Sequence, residues 1–144
     1  MKDGPGTILV GIDGSTSSLR AAAYATGLAR RQGSKLVALY VRTRPSALLP
    51  LADTGGAVAT VLDTQDAVER ELRTMFVERL ADLDLDAHLV VRTGEPYAEI
   101  VDAAHELRAD AIVVGRSTQA LHRIAGSLGS KLMRCGRWPV TVVP

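Results

Sequence analysis

Two short stretches of the sequence carry residues that could hold a phosphorylated ligand. The first, Gly11–Ser18 (GIDGSTSS), places the carboxylate of Asp13 between two glycines and follows it with four hydroxyl residues. Backbone N–H groups and hydroxyls at a helix N-terminus attract anions, because that helix end carries partial positive charge. Asp13 would repel a phosphate directly, but it could accept hydrogen bonds from a ribose or an adenine, or contact magnesium. An equally good interpretation is a turn in which Ser15 caps the helix.

A second stretch with similar chemistry lies near the end of the chain. Gly115 ends an apolar run, and Gly126 and Ser127 stand where a helix is expected to begin eleven residues later. Glycines allow the backbone to approach a ligand closely, and Ser127 and Ser130 lie one turn apart at the helix start. Four basic residues surround this corner and would suit a di- or triphosphate: Arg116, His122, Arg123 and Lys131. The alternative is that Ser127 is an ordinary N-cap and the basic side chains are solvated.

Other kinds of site are not indicated by the sequence. The P-loop pattern G-x-x-x-x-G-K-[ST], a G-x-G-x-x-G after a strand and the G-x-S-x-G nucleophile elbow are all missing. A flavodoxin-like flavin loop after the first strand is the runner-up interpretation, but aromatic residues that would sandwich a flavin make up only 3% of the chain. The histidines His88, His105 and His122 are scattered over different predicted elements, so we do not expect a metal site.

Length and composition bound the remaining classes of function. A chain of 144 residues fits one domain spanning 1–144. Its net charge of +1 favours neither nucleic acid nor an anionic membrane as a partner. No run approaches the roughly 18 apolar residues of a membrane helix. Cys135 is the only cysteine, so an internal disulfide is impossible and a reducing cytoplasm is the simplest location.

The elements that position these residues alternate along the chain. Five apolar, β-branched runs are typical of buried parallel strands: Thr7–Ile12, Lys35–Arg42, Ala87–Arg92, Ala111–Val114 and Pro139–Val143. Helical patterns lie between them: Ser15–Arg31, Val61 to about Leu83, a helix beginning at Pro96, and Ser127–Cys135. The intervening stretch 45–60, with two prolines and a glycine pair, is predicted to be a flexible loop. This order predicts an α/β domain with a parallel sheet and helices on both faces, and its ligand sites lie at the carboxyl ends of strands.

The chain resembles the universal stress protein (UspA-like) family in five blocks whose order and spacing agree with the family: ILVGIDGS, RTGEPYAEIVDAA, ADAIVVGRS, GSLGSKLMR and WPVTVVP. The resemblance implies a single-domain open five-stranded sheet of order 3-2-1-4-5, of the adenine nucleotide alpha hydrolase-like type. It also implies a cytoplasmic homodimer formed through the last strand. Some members of the family bind ATP and others do not.

The resemblance also implies a set of nucleotide-binding residues. ATP-binding members carry the loop G-x2-G-x9-G-[ST]. Here Gly115 matches its first glycine and Gly126 with Ser127 its last pair, but Thr118 stands at the second glycine and the loop is two residues short. Asp13 and Val41 match positions near the nucleoside and adenine. The full set is Gly11, Ile12, Asp13, Val41, Gly115, Arg116, Thr118, Gly126, Ser127, Leu128, Gly129 and Ser130.

These departures predict a stress-adaptation module with an altered or weakened nucleotide site. A threonine restricts positive φ, so a backbone that wraps a phosphate at Thr118 would be strained by about 1 kcal/mol or more. The alternative is an ordinary ATP-binding member that takes ATP with magnesium, and cyclic AMP would also suit a tight loop. We expect at most slow ATP hydrolysis, because no base or phosphate-gripping lysine is placed by a motif.

The last strand presents a β-branched edge, and such edges tend to pair or to be protected. Its residues Val140, Thr141, Val142 and Val143 are therefore predicted to pair with a second copy of the chain. The alternative is that the flanking Pro139 and Pro144 already blunt this edge.

Overall fold

The computed structural model describes residues 4–44, 56–117 and 127–144. Strands and helices alternate through these residues. The strands are β1 (Thr7–Ile12), β2 (Lys35–Arg42), β3 (Ala87–Thr93), β4 (Ala111–Gly115) and β5 (Val140–Val143). The helices are α1 (Thr16–Gln32), α2 (Ala57–Leu80), α3 (Pro96–Glu106) and α4 (Leu128–Cys135).

The strands form one parallel sheet of order β3-β2-β1-β4-β5, which confirms the predicted fold. β1 is central: it pairs with β2 from Thr7↔Lys35 to Ile12↔Tyr40 and with β4 on its other side. The strand order therefore reverses between β1 and β4. In open sheets of this type ligands bind outside the carboxyl ends of the strands at such a reversal.

Both faces of the sheet are covered by helices. Small residues of α1 let it lie close on one face: Ala21, Ala25 and Ala29 are fully buried. Leu72 of α2 joins the same core. The opposite face packs against α3 and α4 through Ile100, Ala103, Ala104 and Leu132. Burial on both faces explains why the strands are continuous apolar runs.

Helix α2 begins earlier than the sequence predicts. The predicted loop 45–60 was wrong at its end, because α2 already begins at Ala57, with Thr60 N–H donating to Gly56 O at 3.0 Å. Residues 45–55 lie outside the described part of the chain. Without a run of Gly, Pro or Asx, the segment from Ala57 onward is compatible with a helix.

Polar contacts hold α2 against the end of β2. Among the described side chains of α2, that of Leu72 alone is buried. Arg42 pairs with Asp66 at 2.6 Å and with Glu69 at 2.9 Å, and Glu69 also pairs with Arg73 at 2.8 Å. The position of this helix therefore depends on charges as well as on apolar packing.

The charge on Glu69 should make stability depend on pH. Hydrogen bonds from Arg73 and then Arg42 hold the pKa of the Glu69 carboxyl below its usual range, while partial burial opposes this shift. A carboxyl whose pKa is lower in the folded than in the unfolded protein stabilises the fold at pH values above its unfolded pKa, about 4.3 for Glu. This contribution is lost as the pH falls through the folded pKa. Glu69→Gln should lower the free energy of unfolding at neutral pH by less than about 1 kcal/mol. The difference from wild type in urea titrations should shrink below about pH 4.

Glu71→Gln is the matched control, because Glu71 is exposed on the same helix. It should leave the urea midpoint unchanged. A Glu69→Gln difference that stays constant from neutral to acid pH would contradict the assignment of this contribution to the charge.

Candidate functional site

The turn between β1 and α1 is built from short hydrogen bonds. Asp13 Oδ1 accepts from the Ser15 N–H at 2.8 Å, and Ser15 Oγ accepts from the Ser18 N–H at 3.2 Å, which caps α1. Ser18 Oγ in turn accepts from the Asp13 N–H at 3.2 Å. The cap predicted as the alternative use of these residues is therefore formed. Asp13 remains exposed, so its carboxylate is oriented by the turn while facing solvent.

The carboxyl end of β4 touches the first turn of α1 directly. Ser17 Oγ donates to Arg116 O at 2.8 Å, and Arg116 N–H donates to Val143 O at 2.7 Å. A Cβ placed on Gly115 would lie 2.5 Å from the carbonyl carbon of Ser17. A glycine is therefore required at this position for the two corners to meet. The backbone of Arg116 is held from two sides, and its side chain is exposed.

The start of α4 uses its serines and glycine for local structure. Ser127 is the N-cap: its Oγ accepts from the Ser130 N–H at 3.2 Å and lies 2.9 Å from Ser130 Oγ. Gly129 is buried, and a Cβ there would lie 2.7 Å from Val142 Cγ2. Gly129 thus allows α4 to pack closely on β5, and its predicted ligand contact stays a prediction.

A cleft of about 680 Å³ opens at the carboxyl ends of the central strands. Ligand pockets typically span about 300–1,000 Å³, so a mononucleotide fits this size. Seven residues of the predicted site line the cleft: Gly11, Ile12, Asp13, Val41, Gly115, Arg116 and Leu128. Ser127, Gly129 and Ser130 are described but are not among the lining residues. Thr118 and Gly126 lie outside the described residues.

Several lining residues were not identified as site residues from the sequence. They come from the end of β2, from α2 and from the start of α3: Thr43, Thr64, Gln65, Val68, Glu95 and Tyr97. Glu95 and Tyr97 lie in the block RTGEPYAEIVDAA, but no local motif marks any of the six as a ligand contact, because they reach the cleft through the packing of α2 and α3. The helical period of α2 was a usable signal for Val68, whose side chain packs on the core.

The charges of the cleft differ between its two ends. Arg116 and Lys131, both exposed, line the part near β4 and α4. Glu95 is engaged as the N-cap of α3, where its carboxylate accepts from Tyr97 N–H at 3.1 Å and Ala98 N–H at 2.8 Å. Burial raises the pKa of Tyr40, so its phenol is neutral near pH 7. The arrangement suits a ligand with an anionic group at one end and a neutral polar group at the other.

Two kinds of feature are missing from the described residues. No group of three or more His, Cys, Asp or Glu side chains in ranges 4–44, 56–117 and 127–144 could hold a metal ion. No helix within these ranges is long and apolar enough to cross a membrane.

The chain is similar to known proteins over nearly its full length. The model of the universal stress protein family matches residues 5–144. A universal stress protein of Methanocaldococcus jannaschii is 30% identical over 142 residues, which cover 94% of this chain and 80% of that protein. The solved structure of UspA from Lactobacillus plantarum is similar with a TM-score of 0.77 and 27% identity, covering 96% of this chain and 97% of that one. A universal stress protein solved in complex with cAMP has a TM-score of 0.65 and 25% identity, with 97% of each chain covered.

The packing role of Gly129 can be tested by a double-mutant cycle. Gly129→Ala should lower the free energy of unfolding by about 1–3 kcal/mol, because the new methyl group overlaps Val142. Combining it with Val142→Ala should cost less than the sum of the two single changes, since the second change removes the overlap. Urea unfolding measures each value.

Gly27→Ala provides the control for this cycle. Gly27 lies inside α1, and a Cβ there would meet only the flexible end of Arg31, at 3.1 Å. Alanine should therefore stabilise the protein by about 0.5–1 kcal/mol. Strict additivity of Gly129→Ala and Val142→Ala would show that the glycine does not serve this contact.

Proposed function

The chain belongs to the universal stress protein family, and from that premise we propose that it binds an adenine nucleotide in the cleft between the β1 and β4 corners, through an altered phosphate grip. The observation that carries the proposal is the meeting of the two corners. Asp13, Val41 and Gly115 line one cleft with the cations Arg116 and Lys131. The similarity to a family member solved with cAMP supports an adenine nucleotide as the ligand class.

Each part of the nucleotide has a matching group in the cleft. The exposed carboxylate of Asp13 suits the hydroxyls of a ribose, because one of its oxygens is already held by the Ser15 N–H. Arg116 and Lys131 provide positive charge for phosphate. The segment of β2 that includes Val41 borders the base. Magnesium would accompany ATP, since it is commonly held by phosphates together with one or two carboxylates.

The phosphate grip differs from that of ATP-binding relatives in two respects. Thr118 replaces a glycine, and the loop that contains it is two residues short. In addition, the Ser127 and Ser130 hydroxyls bond each other, so a phosphate would have to displace that contact. Most of the affinity then comes from the base, the ribose and the first phosphate. We expect the dissociation constants of AMP, cAMP and ATP to lie within about tenfold of one another.

The biological role that follows is regulatory rather than catalytic. A cytoplasmic stress-adaptation module would change its partners when a nucleotide occupies the cleft. Hydrolysis of ATP is at most slow, because neither Asp13 nor the described cations form a set that activates water at a γ-phosphate.

Calorimetry with AMP, cAMP and ATP plus magnesium tests nucleotide binding. We expect saturable binding of each, and Arg116→Ala should weaken ATP binding about three- to tenfold through loss of a charged contact. Arg79→Ala is the control, because Arg79 is an exposed cation at the far end of α2, and it should change nothing. The absence of binding at millimolar nucleotide would rule out the proposal.

A homodimer formed through β5 is the second part of the proposed function. β5 is the last strand of the sheet, so one of its edges pairs with β4, and along its other edge the described residues place no strand. Val142 on β5 is 40% exposed. Antiparallel pairing with a second copy would bury both the strand edge and the side chain of Val142.

Sedimentation of β5 variants tests the dimer. Wild type should sediment as a dimer, and Val142→Lys should shift it toward the monomer, because a charge would be buried in the interface. Val77→Lys is the control, since Val77 is 67% exposed on α2. A wild-type protein that sediments as a monomer at micromolar concentration would contradict this assembly.

A further inference from the structure

A side-chain amide of α2 pairs with the backbone just after β2. Thr43 N–H donates to Gln65 Oε1 at 2.7 Å, and Gln65 Nε2 donates to Thr43 O at 3.0 Å. The orientation of the amide is fixed by chemistry, because a backbone N–H can only donate and a backbone carbonyl can only accept. Both residues line the cleft together with Val41. Gln65 therefore satisfies the N–H donor and the carbonyl acceptor of Thr43 on the wall of the proposed base site.

The geometry of the sheet determines which backbone groups border the cleft. The Arg42 carbonyl accepts from the Gly94 N–H at 2.8 Å, so the peptide edge of Arg42 faces β3. Peptide edges alternate along an extended strand, so those of Val41 and Thr43 face the opposite side. On that side β1 ends at Ile12, the partner of Tyr40. Beyond this point the edge of β2 borders the cleft instead of a strand.

Gln65 decides what this edge offers to a ligand. The Val41 carbonyl is an acceptor that has no β1 residue opposite it. The Thr43 N–H, the donor two residues further along, is already satisfied by Gln65. An acceptor without a neighbouring donor favours an amino group and repels a carbonyl. Adenine carries an amino group at C6, whereas guanine and hypoxanthine carry a keto oxygen there.

We infer that Gln65 is a specificity-determining residue. By accepting the hydrogen bond of the Thr43 N–H, it keeps this donor from a ligand and makes the cleft select a 6-amino purine. The inference rests on the proposed nucleotide binding and concerns which purine base the cleft prefers. Rejection of the wrong base then arises from an unpaired acceptor, which is how polar sites discriminate between close analogues.

Neighbouring ion pairs hold Gln65 in place. Asp66 and Glu69, one and four residues later on α2, pair with Arg42, the residue before Thr43. Contacts from three residues of one turn of α2 thus fasten this turn to Arg42, the last residue of β2, and to Thr43. The amide has little freedom to leave Thr43 unless that turn moves.

Binding of ATP and inosine triphosphate to variants of Gln65 tests the inference. The two probes differ at C6, where one has an amino group and the other a keto oxygen. Wild type should bind ATP at least about tenfold more tightly than inosine triphosphate. Gln65→Ala exposes the Thr43 N–H to a keto oxygen and should bring the two dissociation constants within about threefold, mainly by tightening inosine triphosphate binding.

Two controls distinguish the hydrogen bond from Thr43 N–H to Gln65 from a general role of α2 in holding its position beside the cleft. Gln65→Glu still accepts from the Thr43 N–H, so it should keep the preference for ATP even if added charge weakens both nucleotides. Asp66→Asn removes one pair with Arg42 but keeps the Glu69–Arg42 pair and both hydrogen bonds of Gln65, so its ratio of dissociation constants should equal that of wild type. Thermal melting verifies that each variant is folded, and Gln65→Met, which keeps the side-chain length, replaces the alanine variant if that one melts early.

The outcomes distinguish this inference from the proposed function. If wild type binds neither nucleotide, the proposed function fails and the inference falls with it. If wild type binds both equally, or if Gln65→Ala and Gln65→Met keep the preference of wild type for ATP, nucleotide binding stands and the role of Gln65 is wrong.

Discussion

The site depends on the close approach of α1 to the end of β4. No side chain fits between them: a Cβ on Gly115 would lie 2.5–2.6 Å from backbone atoms of Ser17 and Ser18. The hydroxyl of Ser17 closes the contact by donating to Arg116 O, and the N–H of Arg116 continues it to β5. One backbone contact thus fixes the relative positions of the β1 corner, the β4 corner and the last strand. Because it consists of backbone and small side chains, it leaves little room for adjustment.

This contact also explains why glycine and serine patterns near phosphate sites are ambiguous. Gly115 permits helix packing while lining the cleft, whereas Gly129 packs against Val142. Ser15 and Ser127 cap helices. A helix N-terminus that attracts anions must itself be capped and packed, and the same small residues satisfy both demands. Exposed side chains that line the described part of the cleft, such as those of Asp13, Arg116 and Lys131, remain accessible to a ligand.

The strands could be predicted from the sequence because they depend on local patterns, whereas their order, and so the reversal point, was implied by the family resemblance. Continuous apolar runs marked the strands to within one residue, and Pro96 marked the first residue of α3. The wall of the cleft formed by α2 could not be predicted in this way. Gln65 and Thr43 are 22 residues apart, and their contact is polar, so no hydrophobic period reveals it. The role of Gly129 was also beyond the sequence, since a glycine pattern does not say whether a ligand or a strand lies opposite.

The two walls of the cleft differ in what holds them, and this has a consequence for binding. The wall formed by β1, α1 and β4 is part of the core. The wall formed by α2 is held near the cleft by Arg42 and Gln65, with Leu72 as its buried anchor. Individual polar contacts at a surface contribute about 1 kcal/mol or less, which is small beside the roughly 8 kcal/mol of micromolar binding. Several such contacts act together on α2, so under the proposed function the β1–β4 corner sets where a nucleotide lies, while Gln65, held by these contacts, sets which base is accepted.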